Sequence, residues 1–414
     1  MRQDRKVVVT GMGAVTPLGI GVKNYWENLL AGKSGIRRIS LFDPADIESK
    51  VAGEVKDFDP LDYMEKSEAR RNDRFTQFIY IAGDEAMRNS GLDLEKLDRD
   101  RTGVIIGSGI GGLQTLIDQH NVFLERGPKR VSPFLIPMMI ADMASGLVSI
   151  RYKLRGPNLC TVSACASGNH SIGEASRYID RGDADVMICG GAEAPIVPLG
   201  LAGFVSMKAV TTRNDEPEKA SRPFDKDRDG FVIAEGAAAL VLESEDHALK
   251  RGADIHAIVA GYGASADAYH IAAPEPSGVG AYLCMKNALS DAGIAVDSID
   301  YVNAHGTSTP VGDGAEVNAL KRLFGEKVYK LKISSIKSMT GHLLGAAGGI
   351  EAVATIQTIK NGVIPPTINL DNPEYDLDFV PNANETMEVS TALTNSFGFG
   401  GHNASIVLTR YERK

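Results

Sequence analysis

Cys165 is the residue of this sequence with the clearest potential for covalent chemistry. It lies in NLCTVSACASGNHSIGEA, residues 158–175, where an apolar run gives way to a helical pattern. Near a helix N-terminus, unpaired N–H groups and the helix dipole stabilise an anion, which lowers the pKa of a thiol. Free cysteines more often only pack in cores, as we expect for Cys160, Cys189 and Cys284. The sequence around Cys165 therefore leaves a nucleophile and a packing residue about equally open.

Two histidines could act as partners of a thiolate. His305 lies in NAHGTSTPVGD and His342 in KSMTGHLLGAAGG, each beside glycines and hydroxyl side chains. Ligands of α/β sheets bind at turns that follow strands, so this placement favours a functional role over that of an isolated structural histidine. The sequence has neither HExxH nor CxxC spacing, and we therefore expect no metal site.

The segments around these residues alternate between short β-branched runs and longer helical patterns. Strands are predicted at 6–10, 103–106, 186–189, 238–242, 256–260, 301–304 and 404–408. This alternation is typical of an α/β protein with buried strands.

The chain also resembles itself. VTGMGA at 9–14 matches VAGYGA at 259–264, segment 88–109 parallels 289–306, and SACASGNHSIGEA at 163–175 parallels SMTGHLLGAAGGIEA at 338–352. The three matches occur in the same order, which favours a duplication over chance. Two similar halves would place equivalent turns face to face, where they could form one active site.

Composition limits the classes of protein that fit. The 414 residues carry a net charge of −9 and are 43% hydrophobic. The negative charge argues against a nucleic-acid or membrane-surface protein, and the lack of an apolar run of about 18 residues argues against a membrane span. Four cysteines are too few for a disulfide scaffold, and the N-terminus lacks a signal-peptide stretch. We expect a cytoplasmic protein with reduced thiols and two domains or halves.

Two motifs imitate binding sites. DKDRDGFVIAEG at 225–236 has the alternating aspartates of a calcium loop, but Gly236 stands at the twelfth position, where a bidentate Glu is needed. GMGAVTPLG at 11–19 resembles a dinucleotide fingerprint, but Thr16 occupies the third glycine position and Pro17 follows where the helix should open. We expect neither ligand.

Four motifs together resemble a known family. TVSACASG, NAHGTSTPVGD, KSMTGHLLGAAGGIEA and NSFGFGGHN are similar to motifs of the β-ketoacyl-acyl-carrier-protein synthases, the decarboxylating condensing enzymes with the thiolase fold. ADAYHI, RPFDKDRDGF and RVSPFLIPMMIADMASG resemble most the members that elongate fatty acids by two carbons. The resemblance implies an α/β fold of five layers, αβαβα, and a homodimer. Its two duplicated thiolase-like halves would be residues 1–250, with Cys165, and residues 251–414, with His305 and His342.

The resemblance also implies catalytic roles. Cys165 would carry the acyl chain as a thioester, while His305 and His342 would stabilise the enolate left when a malonyl group loses CO2. Lys337 would be a further charged member of the site, paired with Glu351, although this ion pair could instead merely hold the halves together.

Further positions are implied around the substrate. Backbone N–H groups of Cys165 and Phe399 would form the oxyanion hole, and Phe399 would also act as a gate. Ile110 would line the acyl pocket, although plain core packing explains it equally well. The remaining substrate-binding positions are Thr307, Thr309, Phe397 and Gly400.

The implied partner is an acyl carrier protein in its acyl and malonyl forms. Phosphopantetheine would arrive on that protein, and the enzyme itself would bind no cofactor. Because the carrier protein and this chain are both acidic, docking needs a local basic patch. We predict that this patch consists of Arg70, Arg71, Lys129, Arg130 and Lys208. The same residues could instead be scattered charges that only keep the protein in solution.

Some residues depart from the family pattern, and some rivals can be weighed. Ala272, Ala234 and His402 stand where threonine, glycine and threonine are usual, which affects binding of the phosphopantetheine arm and loop mobility.

A thiolase would need a second catalytic cysteine near the C-terminus, whereas the last cysteine of this sequence is Cys284. An initiating condensing enzyme would have Asn in place of His342, and a non-catalytic chain-length subunit of a polyketide system would lack Cys165. A polyketide ketosynthase stays open, as does the chain-length preference.

Overall fold

Strands and helices alternate along the chain, and the computed structural model describes residues 5–412. The strands are β1 (Val7–Thr16), β2 (Gly19–Ile20), β3 (Ile36–Arg38), β4 (Val51–Gly53), β5 (Thr102–Gly107), β6 (Asn158–Leu159), β7 (Val186–Glu193), β8 (Gly236–Ser244), β9 (Ala257–Ala266), β10 (Tyr301–Asn303), β11 (Lys332–Ser334), β12 (Val363–Ile364), β13 (Glu385–Thr386), β14 (Thr391–Gly398) and β15 (His402–Thr409). The helices are α1 (Val22–Leu30), α2 (Lys66–Ala69), α3 (Arg74–Ser90), α4 (Leu113–Arg126), α5 (Leu135–Met139), α6 (Met143–Tyr152), α7 (Ser167–Asp180), α8 (Pro198–Ser206), α9 (Glu245–Lys250), α10 (Val279–Ala292), α11 (Pro310–Phe324), α12 (Lys337–Thr340) and α13 (Ala347–Asn361). Among these described helices, none combines the length and the apolar character that a membrane crossing requires.

Two units of five strands join edge to edge in one large sheet of the described chain. The first unit has the order β1-β8-β7-β5-β6 and the second the order β9-β15-β14-β10-β11. The units meet where Val7, Val8 and Val9 pair antiparallel with residues of β9. In each unit the third and fourth strands pair parallel, as do the fourth and fifth, while the first three alternate in direction. The repeated order and directions are those of two duplicated halves.

Helices cover both faces of each unit and produce five layers. On the outside of the first unit, α3 packs on β1 and β8. On the outside of the second, α10 packs on β9 and β15. Between the units, α7 contacts β5 and β7, and α13 contacts β14 as well as β8. This layering confirms the αβαβα architecture.

The contact between β1 and α3 shows how the sequence produces this packing. Every residue of β1 is buried, as expected for a strand covered on both faces. Gly13 lets the helix come close, because a methyl group there would lie 1.9 Å from the carbonyl oxygen of Ala82. The helix begins after Asp73, whose carboxylate accepts the N–H of Phe75, and it ends at Gly91 with φ 65°.

The two central helices begin with the same backbone turn. A short 3₁₀ helix, Ala164–Ala166, precedes α7, and another, Leu344–Ala346, precedes α13; their first residues have φ of 49° and 48°. Gly345 is therefore the counterpart of Cys165. The two segments matched in sequence end at Ala175 and at residue 352. The shared backbone turn instead pairs Ala175 with residue 355, so the sequence alignment is wrong by three residues. Recurring glycine and alanine made several alignments of these segments equally good.

The segment 225–236, which resembles a calcium loop in sequence, holds neighbouring segments together by hydrogen bonds. The Asp225 carboxylate accepts hydrogen bonds from Arg222 at 3.0 Å and from the backbone N–H of Asn372 at 2.7 Å. Arg228 donates to the carbonyl oxygens of Thr309 at 3.2 Å and Pro310 at 2.9 Å. These bonds fix the turn that carries Thr309.

Candidate active site

Cys165 lies at the tight turn between β6 and α7. The preceding residue, Ala164, adopts a left-handed conformation with φ 49°, which directs the chain sharply into the helix. The cysteine is 6% exposed, and its Sγ lies 3.0 Å from Nε2 of His342. The backbone N–H groups of Phe399 and of Cys165 itself also face the sulfur. The structure thus brings together the predicted nucleophile, one predicted histidine and both predicted oxyanion-hole donors.

The acidity of the Cys165 thiol differs from the expectation based on the helix N-terminus. Burial raises its pKa to about 12, and the charge of Glu193 adds to that effect. Lys337 and the two backbone N–H groups lower the pKa, but they do not outweigh burial. The predicted lowering was therefore wrong: near neutral pH the resting sulfur carries a proton, and the thiolate must form by proton transfer when a substrate is present.

His305 is held by its backbone and by its ring. Two residues after β10, its N–H and that of Gly306 donate to the carboxylate of Glu316 in α11, at 2.9 and 2.8 Å. Its Nδ1 lies 3.4 Å from Nζ of Lys337. An ammonium group only donates, so Nδ1 accepts and the ring proton belongs on Nε2. Burial, together with Lys337 and His342, holds the pKa of His305 well below 6.5, and the ring is neutral.

His342 is attached to a neighbouring segment through its backbone. Its N–H donates to the carbonyl of Val232 at 2.7 Å, and its own carbonyl accepts the N–H of Ala234 at 3.0 Å. The ring packs edge-on against Phe231 and against His305, with centroid distances of 5.2 and 5.3 Å. Burial and the charge of Lys337 hold the pKa of His342 well below 6.5. Two neutral imidazoles therefore lie side by side next to the sulfur.

Lys337 connects the histidines to a buried carboxylate. Its side chain is 2% exposed, forms an ion pair with Glu351, and donates to the carbonyl oxygen of His305 at 2.6 Å. Burial raises the pKa of Glu351 to about 7, against the opposing effect of Lys337. The predicted Lys337–Glu351 pair is present, and it contacts His305 directly.

One cavity of about 90 Å³ exposes the sulfur and both rings. Thr307, Thr309, Phe397 and Phe399 complete much of its wall. The hydroxyl oxygens of the two threonines lie 3.0 Å apart at its polar side. The volume is below that of pockets that enclose whole small-molecule ligands, so this space suits the reacting end of a substrate.

Comparison with known families gives a match over most of the chain. A model described as "Beta-ketoacyl synthase, N-terminal domain" matches residues 4–248, and one described as "Beta-ketoacyl synthase, C-terminal domain" matches residues 256–371. The chain belongs to the β-ketoacyl synthase family. It is therefore a condensing enzyme that transfers acyl groups.

Individual relatives of this β-ketoacyl synthase match it from end to end. It is 51% identical over 410 residues to the 3-oxoacyl-[acyl-carrier-protein] synthase 2 of Coxiella burnetii, covering 99% of both chains. It is also 51% identical to the protein of the same name from Staphylococcus aureus strain COL, covering all of both chains. A β-ketoacyl synthase structure from Burkholderia phymatum has a TM-score of 0.92 at 36% identity, covering 99% of this chain and 100% of that one. A type II polyketide ketosynthase solved with its acyl-carrier protein has a TM-score of 0.92 at 35% identity, again with 99% and 100% covered.

Two predicted substrate positions lie outside the walls of the cavity. Ile110 is 38% exposed, and its N–H donates to Glu193. Gly400 lies in the turn next to Phe399 with φ 81°, and its N–H donates to the carbonyl of Ile271 at 2.8 Å. The acyl-pocket role of Ile110 and the substrate role of Gly400 stay predictions. Of the departures from the family pattern, Ala272 lines the cavity and His402 is exposed.

Sequence reasoning missed Glu316 and Phe231. Both line the cavity, and Glu316 holds the backbone at His305. A signal for Glu316 existed in the sequence, because it is a charged residue among apolar ones, eleven positions after His305.

The residues of the predicted basic patch are all exposed. The guanidinium of Arg71 lies 5.0 Å from the ring centroid of Phe134, a few residues beyond Lys129 and Arg130. This contact places two parts of the patch close together, as a single docking surface requires.

Proposed function

We propose that this β-ketoacyl synthase elongates fatty acids by decarboxylating condensation of an acyl thioester with malonyl-acyl-carrier protein. The observation that carries the proposal is the 3.0 Å contact between Sγ of Cys165 and Nε2 of His342, with neutral His305 beside it in one buried cavity. The full-length relatives named 3-oxoacyl-[acyl-carrier-protein] synthase 2 support the substrate class.

In the first half-reaction the acyl group moves to Cys165. The thiol loses its proton towards Nε2 of His342 as Sγ attacks the thioester carbonyl. Negative charge then develops on the carbonyl oxygen, and the N–H groups of Cys165 and Phe399 are placed to stabilise it. The carbon–sulfur bond of the donor breaks, and the departing thiol takes up the proton. His342 is neutral again, and the acyl chain is bound to Sγ.

In the second half-reaction a malonyl thioester occupies the space next to the rings. Loss of CO2 leaves the electron pair of the broken bond in an enolate, whose oxygen accepts a hydrogen bond from Nε2–H of His305. His342 gives the second hydrogen bond after its ring proton has moved to Nε2 from Nδ1, which has no hydrogen-bond partner among the described residues. The enolate carbon attacks the acyl carbonyl on Cys165. This attack forms the carbon–carbon bond and a tetrahedral intermediate. Collapse of the intermediate breaks the carbon–sulfur bond, and the Cys165 thiolate that leaves takes up a proton from solvent.

The roles around these groups follow from their positions. Lys337 fixes the proton of His305 on Nε2, because its ammonium occupies the Nδ1 side. Thr307 and Thr309 would bind the phosphopantetheine arm that the carrier protein brings, and no resident cofactor takes part in the proposal. A complete cysteine–histidine–histidine set argues against a non-catalytic chain-length subunit.

The direct test is the mass of the intact protein after incubation with acyl-carrier proteins of several chain lengths. We expect the mass to increase by one acyl group, located on Cys165 by peptide mapping, and the increase to disappear when malonyl-carrier protein is added. Acylation elsewhere, or none with any chain length, would refute the proposed function.

A homodimer and a cytoplasmic location complete the proposal. Exposed apolar side chains include Ile150 in α6, which packs on edge strand β6, and Val162, three residues after that strand. Exposed apolar side chains next to a sheet edge favour association with a second copy. The catalytic thiol is free, as are the other three cysteines, which suits a reducing compartment.

Carrier-protein docking at the basic patch is tested by charge reversal. Changing Lys129 and Arg130 together to Glu should raise KM for acyl-carrier protein by about tenfold, because it replaces attraction by repulsion. The kcat/KM for a small acyl thioester should not change. As a matched control, reversal of Lys321 and Arg322 on α11 should affect neither substrate. An equal loss with both substrates would show that the patch does not bind the carrier protein.

A further inference from the structure

Glu193 is a fully buried carboxylate with no part in the mechanism above. It is the last residue of β7 and is 0% exposed. Its carboxylate accepts four hydrogen bonds: from the N–H of Gly109 at 2.7 Å, the N–H of Gly345 at 2.9 Å, the hydroxyl of Ser108 at 3.0 Å and the N–H of Ile110 at 3.1 Å. Within residues 5–412, no cationic side chain forms an ion pair with it.

The four donors show which form of Glu193 the site holds. Three of them are backbone N–H groups, which cannot accept a hydrogen bond. Each of the two carboxylate oxygens accepts at least one of these N–H groups, and only the Ser108 hydroxyl could accept from a protonated carboxyl. Burial raises the pKa of Glu193 above its ordinary value, and the four bonds oppose that rise without cancelling it. Hydrogen bonds to the charged form favour that form, so the three backbone N–H groups act against burial and favour the carboxylate.

The carboxylate lies where the two halves of the protein meet, close to the catalytic turn. Gly345 is the counterpart of Cys165 in the second half, and Gly109 follows β5 in the first half. A methyl group on Gly345 would lie 2.5 Å from the nitrogen of Gly109 and 2.6 Å from Oε2 of Glu193. A methyl group on Gly109 would lie 3.5 Å from Cα of Ala164, the residue before the cysteine. The charge is therefore fixed beneath the turn that holds Sγ.

We propose that Glu193 is a positioning residue of the reaction, whose negative charge beneath the catalytic turn adds to burial in keeping Cys165 protonated at rest. Lys337 and Glu193 act in opposite directions on the sulfur: the ammonium favours the thiolate and the carboxylate disfavours it. Burial and Glu193 together outweigh Lys337 and leave a neutral thiol next to a neutral imidazole. A resting thiol of this kind reacts slowly with oxidants and alkylating agents.

The test is the rate at which iodoacetamide alkylates Cys165 at about pH 8, followed by mass spectrometry of the native protein. Glu193→Gln keeps the shape and removes the charge, so we expect about tenfold faster alkylation, as for a thiol pKa lowered by about one unit. Glu193→Asp keeps the charge but is one methylene shorter, so it loosens the same contacts. Its alkylation rate should stay within about twofold of the wild-type rate.

The two variants separate charge from access to the sulfur. Equal acceleration in both would show that loosening is the cause and would overturn the inference, as would an unchanged rate in Glu193→Gln. If Glu193→Gln does not fold, Glu193→Asp still decides, because a tenfold increase there contradicts the inference. Glu243→Gln is the matched control: it removes a carboxylate that is also 0% exposed, held by Arg251, His247 and Thr10, and the rate should not change.

The inference rests on the proposed function in taking Cys165 as the acylated residue, but its test needs no carrier protein. Absence of acylation in the wild-type protein would refute the proposed function. An unchanged alkylation rate in Glu193→Gln, with normal acylation, would refute only the role of Glu193.

Discussion

Replacing Cys165 with alanine is expected to lower condensation by at least about 10⁴-fold, because the reaction loses its only covalent carrier of the acyl group. The acyl-protein mass should disappear with every chain length. Release of CO2 from malonyl-carrier protein should persist, because it depends on the hydrogen bonds from His305 and His342. Measuring the three quantities on one preparation separates loss of the nucleophile from loss of the fold.

Cys160→Ala is the matched control for this substitution. Cys160 lies five residues earlier, is partly buried, and has a pKa raised by burial to about 11. Its sulfur lies 3.6 Å from the carbonyl oxygen of Thr161, and it does not line the cavity. The variant should be acylated and should condense at the wild-type rate. Residual condensation in Cys165→Ala within about tenfold of the wild-type rate would contradict the assignment of the nucleophile.

Replacing either histidine of the site with alanine is expected to lower CO2 release by about 10²- to 10³-fold, the usual cost of removing one hydrogen-bond donor from a developing oxyanion. The two variants should differ in the first half-reaction. His305→Ala should still be acylated, since the hydrogen-bond partner of Sγ is Nε2 of His342. His342→Ala should also be acylated slowly, because Nε2 of His342 is the proton partner of Sγ.

His256→Ala is the matched control for the histidines. His256 is 7% exposed, and burial with the charge of Lys360 lowers its pKa to about 4. It lies away from the cavity, so its replacement should change neither step.

The two catalytic rings also predict how CO2 release depends on pH. Both rings are already neutral, so CO2 release should stay constant as the pH falls from about 8 through 6.5. A fall at that point, or equal loss of acylation in His305→Ala, would contradict the roles assigned here.

The residues that carry out the chemistry could be predicted because each follows a recognisable local pattern. Cys165 precedes a helix, and His305 follows a strand within a glycine turn. Strand β14 was not predicted, although it leads to Phe399. This strand is buried, but it contains Thr391, Thr394, Asn395 and Ser396, so its sequence lacks the apolar run that is typical of a buried strand.

The electrostatics of the site could not be predicted, because they arise from contacts between distant segments. The pKa of Cys165 depends on burial by residues from both halves and on Lys337 and Glu193, and no local pattern contains that information. Glu316 and Glu193 bind backbone N–H groups 10 and 152 residues away, among others. Sequence periodicity shows that such carboxylates are placed among apolar residues, but not which amides they bind.

The position of β1 has a consequence for how the protein is made. This strand leaves the ribosome well before its partners in the sheet, β8 and β9. Synthesis at about 5–20 residues per second needs roughly 10–45 s to proceed from Thr16 to Gly236. During that interval a strand whose residues are all buried in the folded protein has both hydrogen-bonding edges unpaired. This state favours pairing between nascent chains. We therefore expect the yield of this enzyme in a cell to depend on chaperone capacity and on the rate of translation.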